Sequence, residues 1–208
     1  MLISKHPDVK AGSFEIRPAE DLTEMIRESE RRRAKNKETE SIMQKITPCL
    51  WFDSNAEEAV KFYTSVFKNS KIERIARYGE AGREIHGRPA GSVMTVEFTL
   101  NGQTFTALNG GPVFQFNEAV SFQVMCESQE EIDHYWEKLS QDGDEAAQQC
   151  GWLKDKYGVS WQIAPTILTE FMTSKDAQVS DKVMEALLQM KKLDIAALKR
   201  AYEEGKKQ

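Results

Sequence analysis

From residue 46 onward the apolar residues fall into two alternating rhythms. Cys49, Leu50, Trp51 and Phe52 read as a strand covered on both faces. Asp53, Ser54 and Asn55 form a turn, with Asn55 or Ser54 placed to cap a helix whose first turn carries Glu57 and Glu58. Ala59, Phe62, Tyr63, Val66 and Phe67 then recur at helical spacing as one apolar stripe. Asn69 and Ser70 end that helix, and residues 72–78 read as a second strand. The glycine-rich stretch 79–91 predicts an irregular loop. Residues 92–100 form a third strand, with Val96, Phe98 and Leu100 on one face. Asn101-Gly102 is a strong hairpin signal, so residues 103–108 are expected to pair back antiparallel.

The same plan then restarts. Val120, Phe122 and Val124 alternate with Ser121, Gln123 and Met125, and Ser128 caps a helix carrying Glu130, Glu131, Ile132, Tyr135, Trp136 and Leu139. Setting Glu57-Glu58 on Glu130-Glu131 also sets Phe62-Tyr63 on Tyr135-Trp136. The run from Gly102 to Ala107 matches the run from Gly158 to Ile163 in spacing. The expected fold class is α+β, with two pseudo-symmetric βαβββ modules over 46–110 and 118–165 in a domain spanning 45–166. Before it lies an extension, residues 1–44, with a short strand at 13–17 stopped by Pro18 and a charged helix over 22–45 fading into a linker. After it, residues 167–208 predict a helical tail that packs on the sheet or on a second subunit. Its elements are a short helix at 167–172, a helix capped by Ser180 over 181–192, and a last one opened by Asp194.

Charge narrows the partner classes. The formal net charge of -5 over 208 residues leaves no basic footprint for nucleic acid. No apolar run reaches the roughly 20 residues of a membrane helix, and the first ten residues lack the apolar core of a signal peptide. Cys49, Cys126 and Cys150 are an odd set without a CxxC pair, which implies reduced thiols and a cytoplasmic setting.

The runs ITPCLWFDSNAEEAVKFYTSVFKNSKI, GSVMTVEFTLNGQTFTALNGGP, SFQVMCESQEEIDHYWEKLS and CGWLKDKYGVSWQIAP resemble PhnB-like members of the vicinal oxygen chelate superfamily. That superfamily holds glyoxalase I, bleomycin-resistance proteins and extradiol dioxygenases. The PhnB-like group is often labelled 3-demethylubiquinone-9 3-methyltransferase. However, no strand-GxGxG-helix unit is present to cradle S-adenosylmethionine. More weakly, residues 1–20 resemble the end of a YCII-related domain, which makes His6 a remnant rather than a working residue. The main resemblance implies that each module curls into a half-sheet, that the two line one cleft, and that the protein is a homodimer. In metal-dependent relatives four inner-strand residues hold a divalent ion. Carried over, these positions fall at Thr47 and Ala119 in the first strands and at Thr106 and Gln162 in the last strands. Moving the first-strand register by one, to Pro48 and Val120 or to Ile46 and Glu118, rescues little. Such an ion needs ligands drawn from His, Asp, Glu or Cys, so no metal or other cofactor is expected at these positions.

Period-2 alternation then assigns the cleft lining. With the large apolar strand residues facing the helices, Thr47, Cys49, Trp51, Thr95, Glu97, Thr104, Thr106, Ser121, Gln123, Ser160 and Gln162 face the bowl. This hydroxyl- and amide-rich surface suits a small polar or aromatic molecule. Glu97 is the one inward-facing acid and the candidate base, with Arg74, Arg77, Arg83 and Arg88 as possible ion-pair partners. Cys49 has no histidine near it in sequence to make it a nucleophile. His86 sits in the 79–91 loop, a candidate lid, and His134 is expected at a helix surface. The leading expectation is a small-molecule-binding protein without the usual metal ligands. One alternative is a lyase, isomerase or dioxygenase-like enzyme using Glu97 in the same cleft, with a divalent metal held by atypical ligands. The other is an interaction module acting through the N-terminal helix.

Overall fold

Two four-stranded sheets, each with an α-helix on one face, satisfy the alternation of apolar residues. The computed structural model describes Glu24, residues 26–31 and residues 46–207. Contacts divide the chain into two units, residues 1–46 and 47–208. In the first unit Glu24 and residues 26–31 are helical, inside the helix expected over 22–45. The expected strand at 13–17, Pro18 and the YCII-like stretch with His6 lie outside the described residues.

In the second unit, module 1 runs β1 (Cys49–Phe52), α1 (Ala56–Val66), β2 (Lys71–Arg77), a short α2 (Arg83–His86), β3 (Val93–Leu100) and β4 (Gln103–Asn109). The sheet order is β1-β4-β3-β2, with β1 and β4 parallel and the other pairs antiparallel. Module 2 repeats the order with β5 (Phe122–Cys126), α3 (Gln129–Ser140), β6 (Asp144–Gln149), β7 (Trp152–Lys154) and β8 (Ser160–Pro165), paired β5-β8-β7-β6. The chain is therefore α+β with two βαβββ modules. The Asn101-Gly102 turn forms as expected, both residues having positive φ (47° and 82°), as a tight hairpin turn requires. Gly158, which opens the last strand of module 2, has φ 87°, so the repeat extends to backbone conformation.

Three local expectations are corrected. The 79–91 loop is not wholly irregular, because α2 forms one helical turn between Gly82 and Gly87, both left-handed. Neither Asn55 nor Ser54 caps α1 with its side chain. The Ala56 N–H donates instead to Asn109 Oδ1 at 2.8 Å, and Asn109 Nδ2 donates to the Val93 carbonyl at 3.0 Å. That cap comes from the end of β4, so no local sequence signal carries it. In the tail, the helix expected over 181–192 is α5 (Ala177–Leu188). Asp176, one turn before Ser180, caps it by accepting from the Gln178 N–H.

The two modules meet through their helix-bearing faces. Phe67 stacks on Tyr135 and packs against Trp161, and Phe105 meets Phe122 edge-on, so one apolar core is continuous across both. One buried carboxylate ties the modules together. Asp155, in the β7–β8 turn and 3% exposed, accepts from Tyr63 of α1 and from the Trp161 indole, each at 2.8 Å. It also accepts from the backbone N–H groups of Tyr157 (2.8 Å) and Val159 (3.0 Å). Burial pushes its pKa up against the opposing pull of these hydrogen bonds. Burial and the Asp155 charge push Tyr63 well above the usual phenol range, which keeps it a donor.

The tail forms α4 (Ile167–Met172), α5 and α6 (Ile195–Gly205), which share a second small core of Phe171, Val183, Leu193 and Leu198. It docks on module 2. Cys150 and Gly151 N–H donate to the Met190 and Lys191 carbonyls, both at 2.8 Å. The Gln129 side chain accepts from Ile195 N–H and donates to the Leu193 carbonyl.

Candidate functional site

Strand register places the residues expected in the bowl. In module 1, Arg74, Glu97, Thr106 and Cys49 lie side by side across the sheet and share the face away from α1. Glu97, the candidate base, is taken up by Arg74, whose Nη2 lies 3.1 Å and 3.0 Å from its two carboxylate oxygens. This is an open surface pair rather than a desolvated base. Cys49 is exposed overall, yet its thiol is pushed above the ordinary cysteine value by partial burial, which opposes nucleophilic use. Trp51 donates its indole N–H to the Gly111 carbonyl at 2.8 Å and meets Phe114 edge-on. Thr47 is exposed, and Thr95, Thr104 and Thr106 are half-buried. His86 packs its ring on Tyr78, and its Nδ1 accepts from Arg88 N–H, so its lone pair is spent inside the loop. His134 is exposed, as expected, and reaches the Val66 carbonyl with Nε2 at 3.1 Å.

In module 2, Gln123 lies opposite Gln162, and Gln162 opposite Trp152. The amides form a chain: Gln123 Nε2 donates to Gln162 Oε1 (3.2 Å), and Gln162 Nε2 donates to Ser121 Oγ (2.7 Å). Ser160 is 2% exposed, and its hydroxyl has no protein partner among the described residues. Lys154, opposite Ser160, pairs with Glu118. Above this floor is a cavity of about 390 Å³, lined by Gln123, Met125, Trp152, Gln162 and Ala164 from the sheet and by Cys150 from the β6–β7 turn. Its wall is Leu168, Thr169, Met172, Thr173 and Leu187, from α4, α5 and the residue after α4. Every lining residue of this cavity belongs to module 2 or the tail. The C-terminal helices thus wall this cavity, where the resemblance implied a cleft lined by both modules.

Sequence reading had placed Ser121, Gln123 and Gln162 on this face. The same alternation puts Met125 there, but it does not predict Trp152 or Cys150 as lining, because β6 carries little alternation and β7 is only three residues long. Nothing local announces Leu168, Met172 or Leu187, whose apolar spacing reads only as a helix face. A further hollow of about 420 Å³ lies at the start of α1, between Ser54, Glu57, Glu58, Lys61 and Arg88. Its charges are largely paired already, Lys61 with Glu57 and Arg88 with Asp53.

The fold family implies a divalent ion, and the residues at its positions do not fit one. The register pairs Cys49 with Thr106 and Gln123 with Gln162, so the counterpart of Thr47 is Ser121 rather than Ala119. Ala119 stands in a turn before β5. One residue of this slip reflects the strand-to-helix connection, which is one residue shorter in module 2 than in module 1. Thr47, Thr106, Ser121 and Gln162 supply no anionic or imidazole ligand. Among the described residues no group of three or more His, Cys, Asp and Glu is placed to hold a metal ion.

These observations define a protein built from paired βαβββ modules with a polar bowl. The sequence model of the family described as 3-demethylubiquinone-9 3-methyltransferase matches residues 44–164. The chain belongs to this family, the PhnB-like branch of the vicinal oxygen chelate superfamily. It is similar to a solved structure titled as a putative 3-demethylubiquinone-9 3-methyltransferase, PhnB protein, from Bacillus cereus. The two are 44% identical, over 59% of this chain and 100% of the other, with a TM-score of 0.51. A protein from Staphylococcus aureus is 33% identical over 57% of this chain and 93% of its own, with a TM-score of 0.26. The fosfomycin resistance protein FosX from Listeria monocytogenes is 16% identical over 62% of this chain and 98% of its own, with a TM-score of 0.39. No curated protein matches the chain. The family match ends at residue 164, before α4 begins. Among the described residues no helix is long and apolar enough to cross a membrane.

Proposed function

We propose that the protein binds a small polar or aromatic molecule in the bowl of module 2, closed by its own C-terminal helices, without a metal held in the family's usual manner. The observation that carries this reading is the cavity of about 390 Å³ over the Gln123–Gln162 amide pair. It joins apolar walls to a few convergent polar groups, the usual make-up of a ligand pocket. The enzyme alternative has less support, because Glu97 is engaged by Arg74 on the other module's sheet. The partner is then a small molecule, not nucleic acid or a membrane. Three unpaired cysteines favour a cytoplasmic setting.

The test is a fragment screen by thermal shift, repeated on a Trp152→Ala variant. A fragment at 100 times its Kd stabilises the native state by about 2.7 kcal/mol. Hits that vanish in the variant support the reading, and hits indifferent to it place binding elsewhere. The same reading keeps a homodimer. Val113, Phe114 and Val120 are exposed apolar side chains that a second copy would cover. A monomer by light scattering would count against that part.

A further inference from the structure

The lining of the module 2 cavity is selective in its chemistry. Among the described residues it includes no aspartate, glutamate, lysine, arginine or histidine. A charged ligand would surrender hydration there without meeting an opposite charge, which is unfavourable. What the cavity offers is two amides, an indole, two thioethers, a thiol and two threonine hydroxyls.

Their placement is fixed by the sheet. Trp152, Gln162 and Gln123 stand in one row across β7, β8 and β5. Neighbouring strands are separated by about 4.8 Å, so this floor is roughly 10 Å wide. In the next row Met125 lies opposite Ala164, whose methyl side chain leaves space at the centre of the floor. Met172 and Leu168 of α4 form part of the wall. Thioethers favour the edges and faces of aromatic rings, and an indole stacks on them. Within the amide chain, Gln162 uses one N–H on Ser121 and its carbonyl on Gln123. Among the described residues the Gln123 carbonyl and its second N–H have no protein partner, so its amide presents an acceptor and a donor side by side. Only a group carrying both in the same arrangement answers both.

We infer that the ligand is an uncharged, planar, fused-ring aromatic molecule bearing a carboxamide or lactam edge, with its edge on Gln123 and Gln162 and its ring beside Trp152. This rests on the small-molecule role proposed above for the same cavity, and it narrows that role to one chemical class.

Three probes of one shape test it: 2-naphthamide, 2-naphthoate and naphthalene, titrated by calorimetry into the full chain. Alkylation of Cys150 by iodoacetamide, followed by mass spectrometry, reports whether a probe occupies the cavity, since Cys150 lines it. The expected result is that 2-naphthamide binds at least about tenfold more tightly than 2-naphthoate and slows Cys150 alkylation. In Gln123→Leu, at an exposed position that tolerates the change, 2-naphthamide should weaken by about tenfold while naphthalene is unaffected. Equal or tighter binding of 2-naphthoate overturns the ligand class while leaving a small-molecule pocket standing. So does a Gln123→Leu variant that binds 2-naphthamide as well as the parent. If no probe binds and none protects Cys150, while the fragment screen yields Trp152-dependent hits, the class alone falls. If the screen is silent as well, both readings fall.

Discussion

Replacing Tyr63 with phenylalanine removes one oxygen and leaves a buried ring in place. The ring is 0% exposed and packs against Tyr157 and Trp161, contacts that the substitution keeps. What is lost is the 2.8 Å hydrogen bond to Asp155 Oδ2. Asp155 retains the Trp161 indole and two backbone donors, so it is not left bare. A hydrogen bond to a charged group contributes about 1.5–3 kcal/mol. For a domain of this size each kcal/mol moves Tm by about 2–4 °C, so Tyr63→Phe should lower it by about 3–12 °C. Urea unfolding followed by far-UV circular dichroism should show a lower midpoint at unchanged slope, because the surface exposed on unfolding is the same. Asp155→Asn should cost more. Its new NH2 group must face either the two backbone N–H groups or the Trp161 indole, none of which can turn from donor to acceptor. A Tm change below about 1 °C in Tyr63→Phe would refute the claim that this bond ties the modules together.

The remaining predictions follow from other features. Burial raises the folded-state pKa of Asp155 above its unfolded value, so its titration contributes stability below the unfolded value of about 4, and that contribution is lost as pH rises through the folded value. The stability gap between the parent and Asp155→Asn should therefore narrow from pH 4 to pH 7, measured by urea midpoints; a gap that widens contradicts the raised pKa. Gly110→Ala would place a methyl group inside the Trp51 indole, displacing the ring from its bond to Gly111. It should cost about 1–3 kcal/mol by overpacking, with a crystal structure showing Trp51 moved. Ending the chain at residue 166 removes the wall of the module 2 cavity but leaves the whole family match. The shortened protein should keep its strand signal by circular dichroism, bind more of a hydrophobic dye and lose probe protection of Cys150. Full protection would place the site elsewhere.

Much of this protein follows from short-range pattern. Strand alternation separated the core residues Leu50, Phe52, Val96, Phe98, Ala107, Trp161 and Ile163 from the polar face that carries Thr106, Gln123 and Gln162. The repeated placement of Glu57-Glu58 and Glu130-Glu131, and of Gly102 and Gly158, made the two modules visible, because each marks a helix start or a tight turn with local backbone requirements. Tertiary structure decided the rest, where one residue's role depends on another far along the chain. The helix cap at Ala56 is completed by Asn109, and the charge of Asp155 is accommodated by a phenol from the other module. Which bowl becomes a pocket was likewise settled by packing. The modules join through their helix faces, and α4 and α5 then bury their apolar sides over Ala164 and beside Trp152. Alternation states which face a side chain occupies; what covers that face is a property of the folded chain.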